Sequence, residues 1–166
     1  MIRPFLPWPD KRLRIAAAPV EALTETVRDV WEDMVETMEA MPGYGLAGPQ
    51  IGVMLRLAVV DASRERGQAV RMANPELLHV STQMRDHEEG SPNLPGVWAR
   101  IQRPRAVTVR FLNEAGEIEE KDFVGLWATS VQHQIDHLNG RMFFDHLSPV
   151  RRSMLLKKAE KLRKQG

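Results

Sequence analysis

Apolar side chains recur along this chain in two rhythms. Leu23, Val27, Val30, Met34, Met38 and Met41 fall three or four residues apart, which predicts a long helix after Pro19 that ends before Pro42-Gly43. Its methionines and tryptophan read as core packing. The period then shortens to two. Val53 to Asp61, with Leu55, Leu57, Val59 and Val60, reads as a strand, and Ser63 to Gly67 as a polar turn. Val70 to Met72 and Leu77 to Val80 read as strand pieces flanking Asn74-Pro75. Val107, Val109 and Phe111 alternate cleanly, Asn113 to Gly116 has the composition of a hairpin turn, and Ile118 to Phe123 returns. Trp127, Val131, Ile135 and Leu138 restore the helical rhythm within about an 80° arc at about 100° per residue. Asn139-Gly140 supplies the stop signal. The order is helix, antiparallel strands, helix and a basic tail.

Composition adds modest bounds. A chain of 166 residues, 43% hydrophobic, can bury one core and is expected to form a single domain over residues 1–166. It has no cysteine, so neither disulfides nor thiolates enter its chemistry. Prolines at 4, 7 and 9 and charges at 10 to 12 and 14 stand where a signal peptide would need its apolar segment. No stretch approaches membrane-spanning length, so the expectation is a soluble, cytoplasmic protein without a membrane partner. The net charge of +1 argues against a general nucleic-acid coat and against DNA as a partner. The charge is uneven, however. Arg151, Arg152, Lys157, Lys158, Lys161, Arg163 and Lys164 crowd the last segment beside Glu160 alone. That tail reads as a solvated helix end, with contact to RNA or an acidic partner as the alternative.

Candidate chemistry concentrates in three segments. His133-Gln134-Ile135-Asp136-His137 has the spacing of a zinc-hydrolase helix, in which histidines four apart lie about 40° from each other and can point at one metal ion. Gln134 occupies the place of that motif's catalytic glutamate. An amide neither takes nor releases a proton near neutral pH, though it can hydrogen-bond a water or a carbonyl. Two polar helix residues with ordinary partners are the equal alternative. Gly43 to Gln50 packs three glycines and a proline around one amide, which suits close backbone approach to a ligand or simply a helix-to-strand turn. Glu88 to Gly96 reads as a rigid, turn-rich loop opening on paired carboxylates.

Taken together and in this order, the segments resemble the three signature motifs of the peptide deformylases, metalloenzymes that remove the formyl group from the N-terminal methionine of new chains. The likeness extends to Asp10-Lys11-Arg12-Leu13-Arg14, the first helix, Asn74-Pro75, the stretch around Arg103, and His133 to Gly140. It implies an α+β fold in which antiparallel strands surround a central motif-bearing helix, with a long N-terminal helix and a C-terminal helix. It also implies Gly45, Leu46 and Trp98 as peptide contacts, and His133 and His137 as ligands of Fe, Zn or Ni. The basic C-terminal helix would stand where family members meet the ribosome.

Three departures bear on activity. Ser91 stands at the position of the third metal ligand, a cysteine in the family, and a neutral hydroxyl is a far poorer ligand than a thiolate. Pro92 stands where a backbone N–H would help Gln50 hold the oxyanion, and proline has none. Gln134 removes the general base. The expectation is therefore a deformylase-like protein with lost or severely impaired activity, weak or absent metal, and a pocket that still binds N-terminal methionine peptides or the ribosome. The alternative is a metal-dependent hydrolase that removes the formyl or another acyl group through a rearranged site, its metal completed by Ser91, water, Glu88 or Glu89. Other residues carry plainer expectations: Arg103 as a strand-edge charge or peptide contact, Asp136 as a histidine-orienting or exposed carboxylate, and His79, His87 and His146 as surface or structural.

Overall fold

The computed structural model describes every residue from Met1 to Gly166. Helix α1 (Glu25–Ala40) starts at its capping residue rather than directly after Pro19, because the Thr24 side chain accepts the Val27 N–H. Val27, Val30, Trp31, Met34 and Met38 form its buried stripe. Seven strands follow: β1 (Gly45–Ala47), β2 (Leu57–Val60), β3 (Val70–Val80), β4 (Met84–Ser91), β5 (Leu94–Pro104), β6 (Ala106–Leu112) and β7 (Ile118–Val124). Helices α2 (Leu126–Leu138) and α3 (Pro149–Gln165) complete the chain. Strands β1-β2-β3-β6-β7 form one antiparallel sheet and β4-β5 a separate antiparallel hairpin, an α+β architecture.

Strand β2 shows why this sheet lies at the centre. Ala58 and Val60 pack in the core beneath α2, while Leu57 and Val59 pack in the core beneath α1. A strand covered on both faces reads as an unbroken apolar run. It is shorter than the sequence pattern predicts, since the Val53 N–H still bonds back to the Gly48 carbonyl in the preceding turn.

The two strand pieces around Asn74-Pro75 are one strand. Its register with β6 slips between Ala73 and Glu76, where Asn74 takes a left-handed φ of 52°. The Asn74 amide both accepts from the Val20 N–H and donates to the Val20 carbonyl, which fixes the bulge. The expected loop at Glu88 to Gly96 is instead the tip of the β4-β5 hairpin, turning at Pro92-Asn93. The half-buried face of β4 carries Arg85, His87, Glu89 and Ser91, so its alternation is polar and gives no hydrophobic signal.

Ala128, Val131, Ile135 and Leu138 seat α2 on the sheet, with Trp127 packed at the margin. Close approach to β1 depends on Gly45, where a Cβ would lie 2.6 Å from Ser130 Oγ and 2.7 Å from Gln134 Nε2. Ser148 caps α3, which rests on the satellite core around Leu94, Val97 and Phe144. No helix is long and apolar enough to cross a membrane.

Candidate functional site

One face of α2 and one face of β4 define a cavity of about 450 Å³. From α2 it takes Leu126, Thr129, Ser130, His133 and Gln134, which share a helical face at spacings of three and four. Strand β4 contributes His87, Glu89 and Ser91, alternate residues of its half-buried side. Gly45, Gln50, Pro92 and Trp98 are among the other wall residues.

His133 and His137 converge as their spacing predicts, with Nε2 atoms 3.2 Å apart. Two nitrogens bound tetrahedrally at about 2.0–2.1 Å would lie roughly 3.3–3.4 Å apart, so this pair fits one metal ion. Behind it, His133 Nδ1 lies 2.9 Å from Glu89 Oε1. Burial alone would raise the Glu89 carboxyl, but hydrogen bonds from His133 and Arg103 bring it down to about 2. As an ionised acceptor it favours the proton on His133 Nδ1, which leaves Nε2 as the acceptor turned toward His137.

Glu89 is thereby removed from the list of candidate ligands. Arg103 Nε and Nη2 bind its two oxygens at 2.6 and 2.9 Å, in a pair whose side chains are 5% and 3% exposed. Arg103 is therefore a buried charge, contrary to its reading as a strand-edge residue. Its Nη1 reaches Asp136 Oδ2 at 2.9 Å, and His146 Nε2 lies 2.8 Å from that oxygen. Asp136 is consequently neither exposed nor aimed at the metal-site histidines. Burial opposes its ionisation, yet His146 and Arg103 together hold its carboxyl below the usual range. His146 has the structural part expected of it, and His79 is exposed as expected. His87 differs, being half-buried in the cavity wall.

No third His, Cys, Asp or Glu joins the histidine pair. Ser91 Oγ stands in the same cavity but donates to Asn93 Oδ1 at 3.0 Å. His137 is buried, and burial, with His133 alongside, pushes its ring well below the usual histidine range, so it is neutral. Its Nδ1 has no partner within the chain. The Nε2–H tautomer, donating to His133 Nε2, is thus preferred; ligation would move that proton to Nδ1, where no protein acceptor stands. The donor set fits two thirds of a metal site, at reduced affinity.

Gln50 is buried and held. Its Oε1 accepts the Ala47 N–H at 2.9 Å, and its Nε2 donates to Asn93 Oδ1 at 2.9 Å, leaving one Nε2–H for a ligand. Asn93 had no place among the sequence-derived candidates, yet it ties Gln50 and Ser91 to the N-terminal segment through bonds from Nδ2 to the carbonyls of Leu6 and Gln50. Its position in a Pro-Asn hairpin turn was the available signal. Gln134 is buried, and its Oε1 is unpartnered. Trp98 is 63% exposed and lies over Gly90, where a Cβ would be 2.6 Å from its Cδ1. The Leu46 side chain is fully buried in the core beneath α1.

A family described as polypeptide deformylase matches residues 2–153. The peptide deformylase of Afipia carboxidovorans is 44% identical over 165 residues, covering 98% of this chain and 96% of its own. That of Rhodopseudomonas palustris strain BisB18 is 40% identical over 169 residues, covering 99% and 97%. A crystal structure of a peptide deformylase from Legionella pneumophila superposes with a TM-score of 0.92 at 39% identity, covering 99% and 97% of the two chains. One from Ehrlichia chaffeensis in complex with actinonin gives 0.90 at 32% identity, covering 96% of each.

Proposed function

The chain belongs to the peptide deformylase family, and on that premise we propose that it is a metal-dependent hydrolase acting on the formyl group of N-terminal formyl-methionine peptides through a rearranged site. The observation that carries this reading is the 3.2 Å convergence of His133 and His137 in front of the ion-paired Glu89. His133 and His137 would hold the metal, with Ser91 or water as the third ligand. A bound divalent metal would supply Lewis-acid polarisation and an acidified water.

The chain's own groups set the rest. Gln50 offers one Nε2–H to the carbonyl oxygen, while Pro92 offers nothing, so that oxygen has one donor where two would serve. Gln134 can orient a water but cannot accept its proton. Losing a positioned base costs about 10²–10⁴ in rate, and one oxyanion donor about 10²–10³. These losses need not multiply. Turnover is therefore slow. Main-chain groups of Gly45 and Leu46, with Trp98, bracket the extended peptide by strand addition. The protein works in the cytoplasm as a single domain over residues 1–166, and its basic α3 meets the ribosome.

A second reading, peptide binding without turnover, draws on Ser91, Pro92 and Gln134 together. Formate release and peptide affinity measured on the same preparation separate the two. Metal-dependent formate release supports the hydrolase, binding without release supports the second reading, and absence of both contradicts each.

A further inference from the structure

The ligand's first side chain can be inferred from the slot beside His133, an inference that rests on the deformylase-type reading of the site. Hydrogen bonds between β4 and α2 fix where each wall residue stands. Arg85 Nη1 reaches Thr129 Oγ1 at 3.0 Å, and Glu89 Oε1 lies 2.9 Å from His133 Nδ1. His87 lies between Arg85 and Glu89 on the same face of β4, so it is set opposite the turn of α2 between Thr129 and His133. Both residues line the cavity. A peptide whose terminal group sits at His133 would send its first side chain between them.

That slot is built for a polar group. Thr129 Oγ1 already accepts from Arg85, which leaves its O–H to donate. Burial first, and then Arg85, push the His87 ring below the usual histidine range, so it stands neutral with one N–H. Ser130 does not compete, because its hydroxyl donates to the Tyr44 carbonyl at 2.8 Å. Thr129 and His87, each with one hydrogen-bond donor, therefore line the space between α2 and β4, and Leu126 supplies apolar contact farther along the helix. A thioether sulfur is a weak acceptor and would leave both donors poorly paired on desolvation.

We propose that this slot selects an N-terminal side chain ending in a hydrogen-bond-accepting oxygen, an amide or a sulfoxide, over the unoxidised thioether of methionine. Thr129 and His87 act as specificity residues and take no part in bond cleavage.

Isothermal titration with four formyl tripeptides that differ only in the first residue tests this: norleucine, methionine, methionine sulfoxide and glutamine. The oxygen-bearing pair should bind about tenfold tighter than norleucine, the gain from two neutral hydrogen bonds. Thr129→Val, which keeps the side-chain shape, should shrink that preference severalfold by weakening the oxygen-bearing pair relative to norleucine; His87→Leu should do the same independently. Tight binding of the sulfoxide alone identifies an oxidised methionine terminus, and of glutamine alone an amide side chain. Norleucine or methionine binding as well as both would overturn the proposal while leaving the deformylase-type reading intact. If none of the four binds, that reading falls, and the proposal with it.

Discussion

Replacing Gln134 with glutamate returns a titratable carboxylate to the wall of the cavity beside the histidine pair. Formate release from a formyl-methionyl tripeptide should rise by about 10²–10⁴ in Gln134→Glu, the range for a positioned base. Adding Ser91→Cys and Pro92→Leu should raise metal affinity and turnover further; silence in a folded, metal-loaded triple variant would show that the pocket itself has changed. Glu89 makes a separate prediction in pH. Its carboxyl lies at about 2 in the folded chain, below its ordinary 4.5, so the unfolded chain binds more protons between those values. The resulting stability is present above about pH 4.5 and is lost as pH falls toward 2, amounting to roughly 3 kcal/mol at neutral pH. Urea denaturation across that window should show the loss in the parent chain and a flatter profile in Glu89→Gln.

The elements of the fold differed in legibility for physical reasons. Helix α1, the β6-β7 hairpin and α2 announce themselves because each buries one regular apolar stripe, as Val27 to Met38 and Val131 to Leu138 do. Strand β4 does not, since its half-buried face carries Arg85, His87, Glu89 and Ser91. The same concealment hid Arg103, which looks like a surface charge in isolation and is defined by two carboxylates distant in sequence, Glu89 and Asp136. Arg103→Met should therefore destabilise the protein by about 3–5 kcal/mol, the cost of stripping one partner from a buried ion pair. By contrast, Arg100→Met, which breaks the exposed pair with Asp86 at 3.5 Å, should change stability by less than about 1 kcal/mol. Equal effects of the two substitutions in urea titrations would contradict the assignment of Arg103 as the anchor between hairpin and helix.

At the scale of the whole molecule, motif order was legible enough to place His133, Gln50, Ser91, Pro92 and Gln134 around one cavity with His137 buried beside His133, because each motif sits at a junction of the sheet with α2 or the hairpin. What the linear motifs could not convey was the network holding them: Asn93 bridging Gln50 to Leu6, and Arg103 joining Glu89 to Asp136. Those contacts depend on three-dimensional register. They present two convergent imidazoles and no third anionic donor.

The most direct test of the hydrolase assignment is formate release from a formyl-methionyl tripeptide by protein purified without oxygen and titrated with Fe(II), Ni(II) or Zn(II), beside a peptide deformylase relative that retains Cys, Leu and Glu at the three altered positions. Metal-dependent release about 10²–10⁴-fold slower than the relative is expected, the range for a missing base. Folded protein that releases no formate above the metal-free control with any of the three metals would contradict it.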